Sequence, residues 1–263
     1  FRPESPPFRL TSLDQRERLF AAAGAKAMVV FHFDATLAGL SAEAFVTERL
    51  VGNLGISGVV TGEDFTFGHK RGGNITLLRE LGEQLGFTVD TVGPVRAATR
   101  GEPPTPVSSS RIRDLLVEGR PRDAATLLTR PFAIQNVVQP GAKLGRELGY
   151  PTANLDLGRY LRPRYGIYAV TGRLADGTLL QGVANLGIRP SFDPPQELLE
   201  PYVFDWSGDL YGQTIEVSLI EFIRPEAKFD DLEALKRQMA DDCVRARTIL
   251  GAAPTAGIPP ATA

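Results

Sequence analysis

Residues 141–154 read GAKLGRELGYPTAN, a loop with three glycines that runs into two small polar residues. Glycines allow backbone N–H groups to turn toward an anion, and Lys143 and Arg146 add positive charge. Residues two apart in an extended strand face the same side, so Thr152 and Asn154 are predicted to present a hydroxyl and an amide oxygen together. Mg²⁺ prefers oxygen ligands, and the stretch therefore predicts a phosphate- and magnesium-binding segment.

The loop does not match the common nucleotide motifs. No Gly-Lys-Ser/Thr closes it, and the dinucleotide spacing Gly-x-Gly-x-x-Gly is missing. A glycine-rich turn is more often a plain loop, and Thr-x-Asn is more often a satisfied turn than a metal ligand. The joint pattern GxxxGRxLGYPTAN, however, resembles the ATP-binding segment of riboflavin kinases. Residues 182–192, GVANLGIRPSF, and 200–206, EPYVFDW, resemble later segments of that family.

The chain as a whole resembles the bacterial bifunctional riboflavin kinases/FMN adenylyltransferases. In its second half the resemblance implies that Glu200 is the catalytic base, and Glu197 is a rival three residues earlier. Pro201 departs from the family pattern, and since proline cannot donate to a ladder we expect it at a strand edge or bulge. Arg189 is interpreted either as a ligand contact or as a salt-bridge partner. The implied ATP-binding residues, of which the last two also hold the metal, are Gly141, Lys143, Gly145, Arg146, Thr152 and Asn154.

The first half carries two further segments of the same family. Residues 62–68, GEDFTFG, follow a predicted strand and resemble the flavin-binding segment of the adenylyltransferase; residues 107–113, VSSSRIR, resemble its triphosphate-binding helix start. The family's His-x-Gly-His is absent, so the adenylylation chemistry cannot be assigned to residues present here. The implied residues are Gly62, Asp64, Phe65, Phe67 and Gly68 for flavin, and Ser109, Ser110, Arg111 and Arg113 for ATP.

The composition is that of an ordinary globular protein. Of 263 residues, 43% are hydrophobic and 23% are charged, and the net charge is −2. No basic field favours nucleic acid, and no apolar run reaches the roughly 20 residues of a membrane helix. The single cysteine, Cys243, fits a reducing compartment, and we expect a cytoplasmic protein without nucleic-acid or membrane partners. The start at Phe1 reads as mid-protein sequence, so we expect a natural chain that is longer at its N-terminus.

The element pattern predicts two domains and a tail. Strand signals at 27–31, 57–61 and 87–92 alternate with helix signals, which predicts an incomplete α/β doubly wound, nucleotidyltransferase-like domain over residues 1–130. Residues 131–250 carry short strands joined by turns and then one helix, which predicts a small antiparallel β-barrel of the riboflavin kinase type with a C-terminal helix. Residues 251–263 are expected to be disordered.

The leading functional interpretation is a flavin-cofactor enzyme that uses Mg²⁺ and ATP. The second domain would phosphorylate riboflavin to FMN, and the first domain, when complete, would adenylylate FMN to FAD. Two alternatives stay open: a kinase whose first domain is a relic or regulator, and a flavin-binding module without catalysis. A nucleic-acid module is the weakest candidate, because no basic-aromatic stripe is visible.

Overall fold

The computed structural model describes residues 7–140, 150–189 and 195–252. These residues form two compact units. One comprises Met28–Arg96, and the other joins residues 7–27 to the described residues after 96. A segment from the start of the chain thus belongs to the unit that contains its second half, and the predicted boundary at residue 130 stays a prediction.

Helices and strands alternate in the first unit, and strands dominate the second. The helices are α1 (Leu13–Ala22), α2 (Ala35–Gly39), α3 (Ala42–Ala44, continued as a π-helix over Phe45–Asn53), α4 (Ile75–Leu85), α5 (Ser109–Val117), α6 (Pro121–Leu128) and α7 (Leu232–Ala252). The strands are β1 (Gly58–Gly62), β2 (Thr88–Val92), β3 (Arg96–Thr99), β4 (Glu102–Pro106), β5 (Phe132–Val137), β6 (Leu155–Asp156), β7 (Gly166–Leu174), β8 (Leu179–Arg189), β9 (Gln196–Val203) and β10 (Thr214–Arg224).

The first unit contains one parallel βαβ motif. β1 and β2 pair in parallel from Gly58–Thr88 to Gly62–Val92, and α4 connects them. Asn74 caps α4 by accepting a hydrogen bond from the Leu77 N–H. The core of this unit lies between α4, the π-helix and the strands, with Leu78 and Val46 fully buried. The motif confirms an α/β arrangement.

The predicted strand at 27–31 is wrong. Residues 27–31 have no regular secondary structure, although the run is apolar, and Val29 and Val30 are more than half exposed. Among the described residues β1 pairs only with β2, so this run has no strand to hydrogen-bond with. Strand formation requires a partner as well as a suitable composition.

Side chains cap the starts of two further helices. Ser108 caps α5 by accepting a hydrogen bond from the Arg111 N–H. At the start of α7 the Asp231 carboxylate accepts a hydrogen bond from the Ala234 N–H. α7 also runs two residues beyond the predicted end of the kinase domain. The rest of the tail predicted to be disordered lies outside the described residues.

The second unit is built on a nearly closed antiparallel barrel. Its six strands follow the order β5–β10–β7–β8–β9–β6. Closure comes from contacts between the first and last strands: the Gln139 N–H donates to the Asn154 carbonyl at 2.9 Å, and Asn136 Nδ2 donates to the Asp156 carbonyl at 3.0 Å. A turn at Asp176-Gly177 joins β7 to β8, with Gly177 at a φ of +89°. The antiparallel barrel predicted from the sequence is confirmed.

Alternate residues of the barrel strands face two different apolar layers. The inner face fills the barrel with buried side chains that include Leu155, Tyr168, Leu186, Leu199 and Val217. The outer face packs part of its surface under α7, where Ile167 and Ala169 meet Ala246 and Leu250. Any functional side chain on these strands therefore belongs either to the packed interior or to the outer face.

A second part of the outer face is covered by α1. Glu216 on β10 is only 6% exposed, and it accepts hydrogen bonds from Gln15 Nε2 at 2.9 Å and from Arg18. Arg173 on β7 donates to its other carboxylate oxygen at 3.1 Å. Tyr160 donates its hydroxyl proton to Gln15 Oε1 at 2.8 Å. This polar network attaches the N-terminal helix to the barrel.

Candidate active site

Three polar side chains lie in one row across the outer face of the barrel. β8 pairs with β9 so that Asn185 lies opposite Glu200. On the other side of β9, the register of β6 and the bridge between Thr152 and Tyr202 place Asn154 opposite Glu200. Side chains of directly opposed residues share one face, with Cβ atoms about 4.5–5.5 Å apart. We call Asn154, Glu200 and Asn185 the polar row.

The strand alternation separates the two candidate bases. Glu200 is one residue from the inward-facing Leu199, so it lies on the outer face together with Thr152 and Asn154. Glu197 is three residues from Glu200 and lies on the opposite face. Thr152 and Asn154, whose oxygen atoms are predicted to bind Mg²⁺, therefore share a face with Glu200.

Glu197 is also occupied by structural contacts. Arg162 Nε donates to its carboxylate at 2.8 Å, and the Tyr165 hydroxyl donates to the other oxygen. Burial acts to raise the pKa of Glu197, but the hydrogen bonds from Tyr165 and Arg162 outweigh it and lower the pKa. Burial, assisted by Glu197, raises the pKa of Tyr165 to about 12. Glu197 thus holds a tyrosine and an arginine in place.

Glu200 forms an ion pair with Arg189, and Arg189 also binds a second carboxylate. The Arg189 Nη1 atom donates to Glu226 at 3.1 Å, while its Nε and Nη2 face Glu200. Glu200 and Arg189 are about four-fifths buried, with side-chain exposures of 19% and 21%. Burial acts to lower the pKa of Arg189, but its contacts to Glu200 and Glu226 raise it. Of the two interpretations of Arg189, the structure shows the salt-bridge partner.

Gly187 makes room for this arrangement on the outer face. A Cβ atom at Gly187 would lie only 2.3 Å from Glu226 Oε1, so a side chain there would displace the glutamate. Glu226 follows β10 and comes back over β8 at this position. The absence of a side chain at residue 187 thus places the second carboxylate beside Arg189.

Pro201 is accommodated because its missing N–H points away from the long strand β8. Its carbonyl accepts from the Ala153 N–H at 3.0 Å, and in an antiparallel strand the N–H and C=O of one residue point to the same side. That side faces residues 152–156, the short segment that contains β6, the last strand of the sheet. The pairing with β8 continues without a bulge through Ala184–Pro201, and β9 lies between β8 and β6, so the prediction of a strand edge or a bulge at Pro201 is wrong.

The aromatic residues near the site pack against each other or against the barrel. Tyr150 meets Tyr202 edge-on at 5.2 Å, and Tyr202 meets Phe204 at 5.8 Å. Trp206 packs against the core cluster of the barrel. Four predicted ATP-binding residues lie outside the described residues, so the structure does not place them: Gly141, Lys143, Gly145 and Arg146.

The segment predicted to bind flavin lies at the carboxyl end of β1. Phe65 is 38% exposed and stacks on Phe67 at 5.5 Å with 15° between the ring planes. Phe67 is buried in the core of its unit, and Gly68, at a φ of +73°, packs directly against Ala42. Gly62 and Asp64 precede them in the same turn. The exposed ring in this segment is therefore Phe65, whereas Phe67 supports it from below.

The residues predicted to bind ATP at α5 fall in the barrel-containing unit. Arg111 is 17% exposed and donates to the Ala97 and Thr105 carbonyls, Thr99 and Glu102, at 3.0–3.4 Å. Arg111 therefore holds the β3–β4 hairpin against α5. Of the other predicted residues, Ser109 and Ser110 are exposed and Arg113 is partly exposed. Arg113 donates hydrogen bonds to the Phe8 carbonyl and to the Ser109 hydroxyl.

The hydrogen bonds to Glu102 predict that the stability of the fold depends on pH. Hydrogen bonds from Arg120, then from Thr99 and Arg111, lower the pKa of Glu102 from 4.5 to about 2. Because the folded-state pKa lies below the unfolded one, this contribution is present above about pH 4.5 and is lost as the pH falls toward 2. We expect Glu102→Gln to flatten the dependence of unfolding temperature on pH in this window. Superimposable profiles of the two proteins would contradict the assignment.

The chain combines a barrel that carries the polar row with a parallel βαβ motif whose first strand leads into a glycine- and aromatic-containing turn, and these are the parts of a two-module transferase. The family models divide the chain in the same order. One described as riboflavin kinase matches residues 128–250, and one described as FAD synthetase matches residues 1–110. The chain belongs to the family of bifunctional riboflavin kinase/FMN adenylyltransferases, as the sequence predicts.

Curated relatives agree over nearly the whole chain. A bifunctional riboflavin kinase/FMN adenylyltransferase of Haemophilus influenzae is 37% identical over 94% of this chain and 79% of its own length. The protein of the same description from Escherichia coli is 36% identical over 95% of this chain and 79% of its own length. Both domains of these two-domain enzymes are thus represented here.

A solved structure shows the same fold. A crystal structure from Streptococcus pneumoniae, described as a macrolide-efflux protein, superimposes with a TM-score of 0.78 and is 28% identical, covering 92% of this chain and 77% of that one. In the part of the chain that the structure describes, no helix is both long and apolar enough to span a membrane.

Proposed function

We propose that the barrel unit transfers the γ-phosphoryl group of ATP to the terminal ribityl hydroxyl of riboflavin, giving FMN and ADP. The observation that carries this proposal is the outer face of the barrel on which the polar row lies. A carboxylate, Glu200, lies on the same face as two neutral oxygen donors, Thr152 and Asn154, on a barrel of the riboflavin kinase family. Phosphoryl transfer requires a residue that orients the nucleophile and neutral or cationic groups around the phosphates.

Glu200 would accept the proton of the attacking hydroxyl as the new P–O bond forms and the bond to ADP breaks. A base must lie within hydrogen-bond reach of that hydroxyl. Arg189 orients the carboxylate in the resting structure. When Glu200 takes up the proton its charge is lost, and Glu226 then keeps the arginine paired. Two carboxylates around one guanidinium thus allow the proton to move without leaving an isolated buried cation.

The residues present fit a Mg²⁺ ion that arrives with the nucleotide. Thr152 and Asn154 supply a hydroxyl and an amide oxygen, and Asn154 is 5% exposed. Mg²⁺ is commonly held by few protein ligands together with substrate phosphates. The described residues contain no cluster of three or more His, Cys, Asp or Glu that would form an all-protein site. Bound there, the ion would neutralise phosphate charge.

Removing these oxygen donors should raise the magnesium requirement. For Thr152→Ala and Asn154→Ala we expect about 10–100-fold more Mg²⁺ at half-maximal FMN formation, the usual cost of disturbing a metal site. The measurement is a Mg²⁺ titration at fixed ATP. Thr248→Ala, at an exposed position on α7, is the matched control. An unchanged Mg²⁺ dependence in both variants would remove these residues from the metal site.

We propose that the first domain, when complete, adenylylates FMN to FAD. Phe65 offers an exposed ring for flavin stacking, next to Gly62, Asp64 and Gly68 at the carboxyl end of β1. Ser109, Ser110 and Arg113 lie at the start of α5, where N–H groups favour phosphate. Arg111 would act there by fixing the helix start. A cytoplasmic location and the lack of nucleic-acid partners stay predictions from composition.

Product analysis tests the proposal and separates its alternatives. The protein is incubated with riboflavin, ATP and Mg²⁺, and flavins are resolved by chromatography. FMN formation supports the kinase, and subsequent FAD formation supports the adenylyltransferase. FMN without FAD from a chain that also carries the family's His-x-Gly-His would favour a kinase whose first domain is a relic or regulator. Riboflavin binding without any phosphorylated product would favour a flavin-binding module and overturn the proposal.

A further inference from the structure

One buried polar atom on the outer face has no protein partner. Asn185 Oδ1 is buried, and no described residue hydrogen-bonds to it. Buried amide oxygens are nearly always paired, because an unsatisfied one loses its hydration without compensation. Asn185 is the third member of the polar row, directly opposite Glu200. An unpaired acceptor at this position indicates a donor that comes from a ligand.

The position of Asn185 selects the kind of donor. Asn154, on the metal and phosphate side, lies on one flank of Glu200, and Asn185 lies on the other. Beyond Asn185 the next strand presents Ile167, which belongs to the apolar cluster under α7. A neutral amide next to an apolar surface suits an uncharged O–H donor rather than a phosphate. The ligand group at Asn185 therefore lies on the side of the base away from the nucleotide.

We propose that Asn185 is a substrate-binding residue that accepts a hydrogen bond from the 4′ hydroxyl of the ribityl chain. This inference rests on the proposed riboflavin kinase function. The 4′ hydroxyl is the neighbour of the 5′ hydroxyl that becomes phosphorylated. Asn185 and Glu200 are a directly opposed pair, whose Cβ atoms lie about 4.5–5.5 Å apart, so one extended polyol reaches both. Asn185 would thereby align the 5′ hydroxyl with Glu200 and select a hydroxylated chain.

The test combines a side-chain deletion with a substrate deletion. For Asn185→Ala we expect the KM for riboflavin to rise about ten-fold, the usual value of one hydrogen bond at the upper end of its range, with the KM for ATP unchanged. In the wild-type protein, 4′-deoxyriboflavin should show a similar rise. In Asn185→Ala the 4′-deoxy analogue should show little further loss, because the partner is already absent. Asn185→Ser retains an acceptor, so its KM for riboflavin should lie between those of the wild-type protein and Asn185→Ala.

The control is Gln181→Ala, an exposed residue on the same strand and the same face, whose KM for riboflavin should not change. If the wild-type protein forms no FMN, the proposed kinase function itself fails. If it forms FMN, three results for Asn185→Ala would overturn the role of Asn185 and leave the kinase function standing. They are an unchanged KM for riboflavin, a raised KM for ATP, or a further rise in KM with 4′-deoxyriboflavin as large as the rise seen in the wild-type protein. If Asn185→Ala does not fold, the wild-type protein still tests the proposal: equal KM values for riboflavin and 4′-deoxyriboflavin would overturn the role of Asn185.

Discussion

Replacing Glu200 with glutamine should lower the turnover of FMN formation about 10²–10⁴-fold, the usual contribution of general-base catalysis. The amide retains the size of the side chain and an oxygen that Arg189 can contact, but it cannot take up the proton. Riboflavin affinity should change far less, since the loss falls on the chemical step. The measurement is the initial rate of FMN formation at saturating riboflavin, ATP and Mg²⁺.

Glu197→Gln is the matched control for this prediction. It removes a carboxylate three residues away on the same strand, but on the opposite face, where Arg162 and Tyr165 bind it. We expect it to affect stability more than turnover. Near-normal turnover in Glu200→Gln together with a large loss in Glu197→Gln would exchange the two roles.

Glu216→Ala should destabilise the barrel unit by about 3–5 kcal/mol, the range for removing one partner of a buried ion pair. The Glu216 carboxylate is 6% exposed and is bound by Arg18, Arg173 and Gln15. Its loss removes the anion shared by the Arg18 and Arg173 guanidinium groups and weakens the attachment of α1 to the barrel. Denaturant unfolding followed by the fluorescence of Trp206, the one tryptophan of the chain, measures this unit.

Two variants calibrate the Glu216 measurement. Glu216→Gln keeps the shape and one hydrogen-bond acceptor, so its loss of stability should be smaller than that of the alanine variant. Glu233→Ala removes a carboxylate that is 69% exposed and pairs with Lys236 one helical turn away, and surface pairs of this kind contribute little. Equal unfolding free energies for Glu216→Ala and the wild-type protein would show that the network does not hold α1.

The sequence predicts the barrel and the common face of two of its polar residues for a physical reason. Thr152 and Asn154 are two apart in an extended segment, so their common face follows from the strand period alone. That Glu200 faces the same way depends on the register of β9 against β6, which the sequence motifs do not contain and the structure supplies. The family resemblance implies Glu200 rather than Glu197 as the base, and the strand geometry supports the same choice.

Other features required knowledge of long-range contacts. The run at 27–31 has a strand-like composition but finds no partner strand among the described residues. Gln15 and Glu216 are separated by 201 positions, and no local pattern connects them. Asn185 lies within residues 182–192, which resemble a segment of the kinase family, yet only burial and strand pairing reveal its unsatisfied oxygen. Local periodicity predicts which face a residue takes, whereas tertiary contacts decide what meets it there.

The location of the reaction is tested most directly by a crystal structure of this chain with FMN, ADP and Mg²⁺. The account predicts that the ribityl chain lies on the outer face, with the 5′ oxygen within about 3 Å of a Glu200 carboxylate oxygen, the reach required of a general base. Thr152 and Asn154 should lie on the side of the diphosphate. A flavin bound elsewhere on the barrel, or a 5′ oxygen whose nearest carboxylate is Glu197, would contradict it.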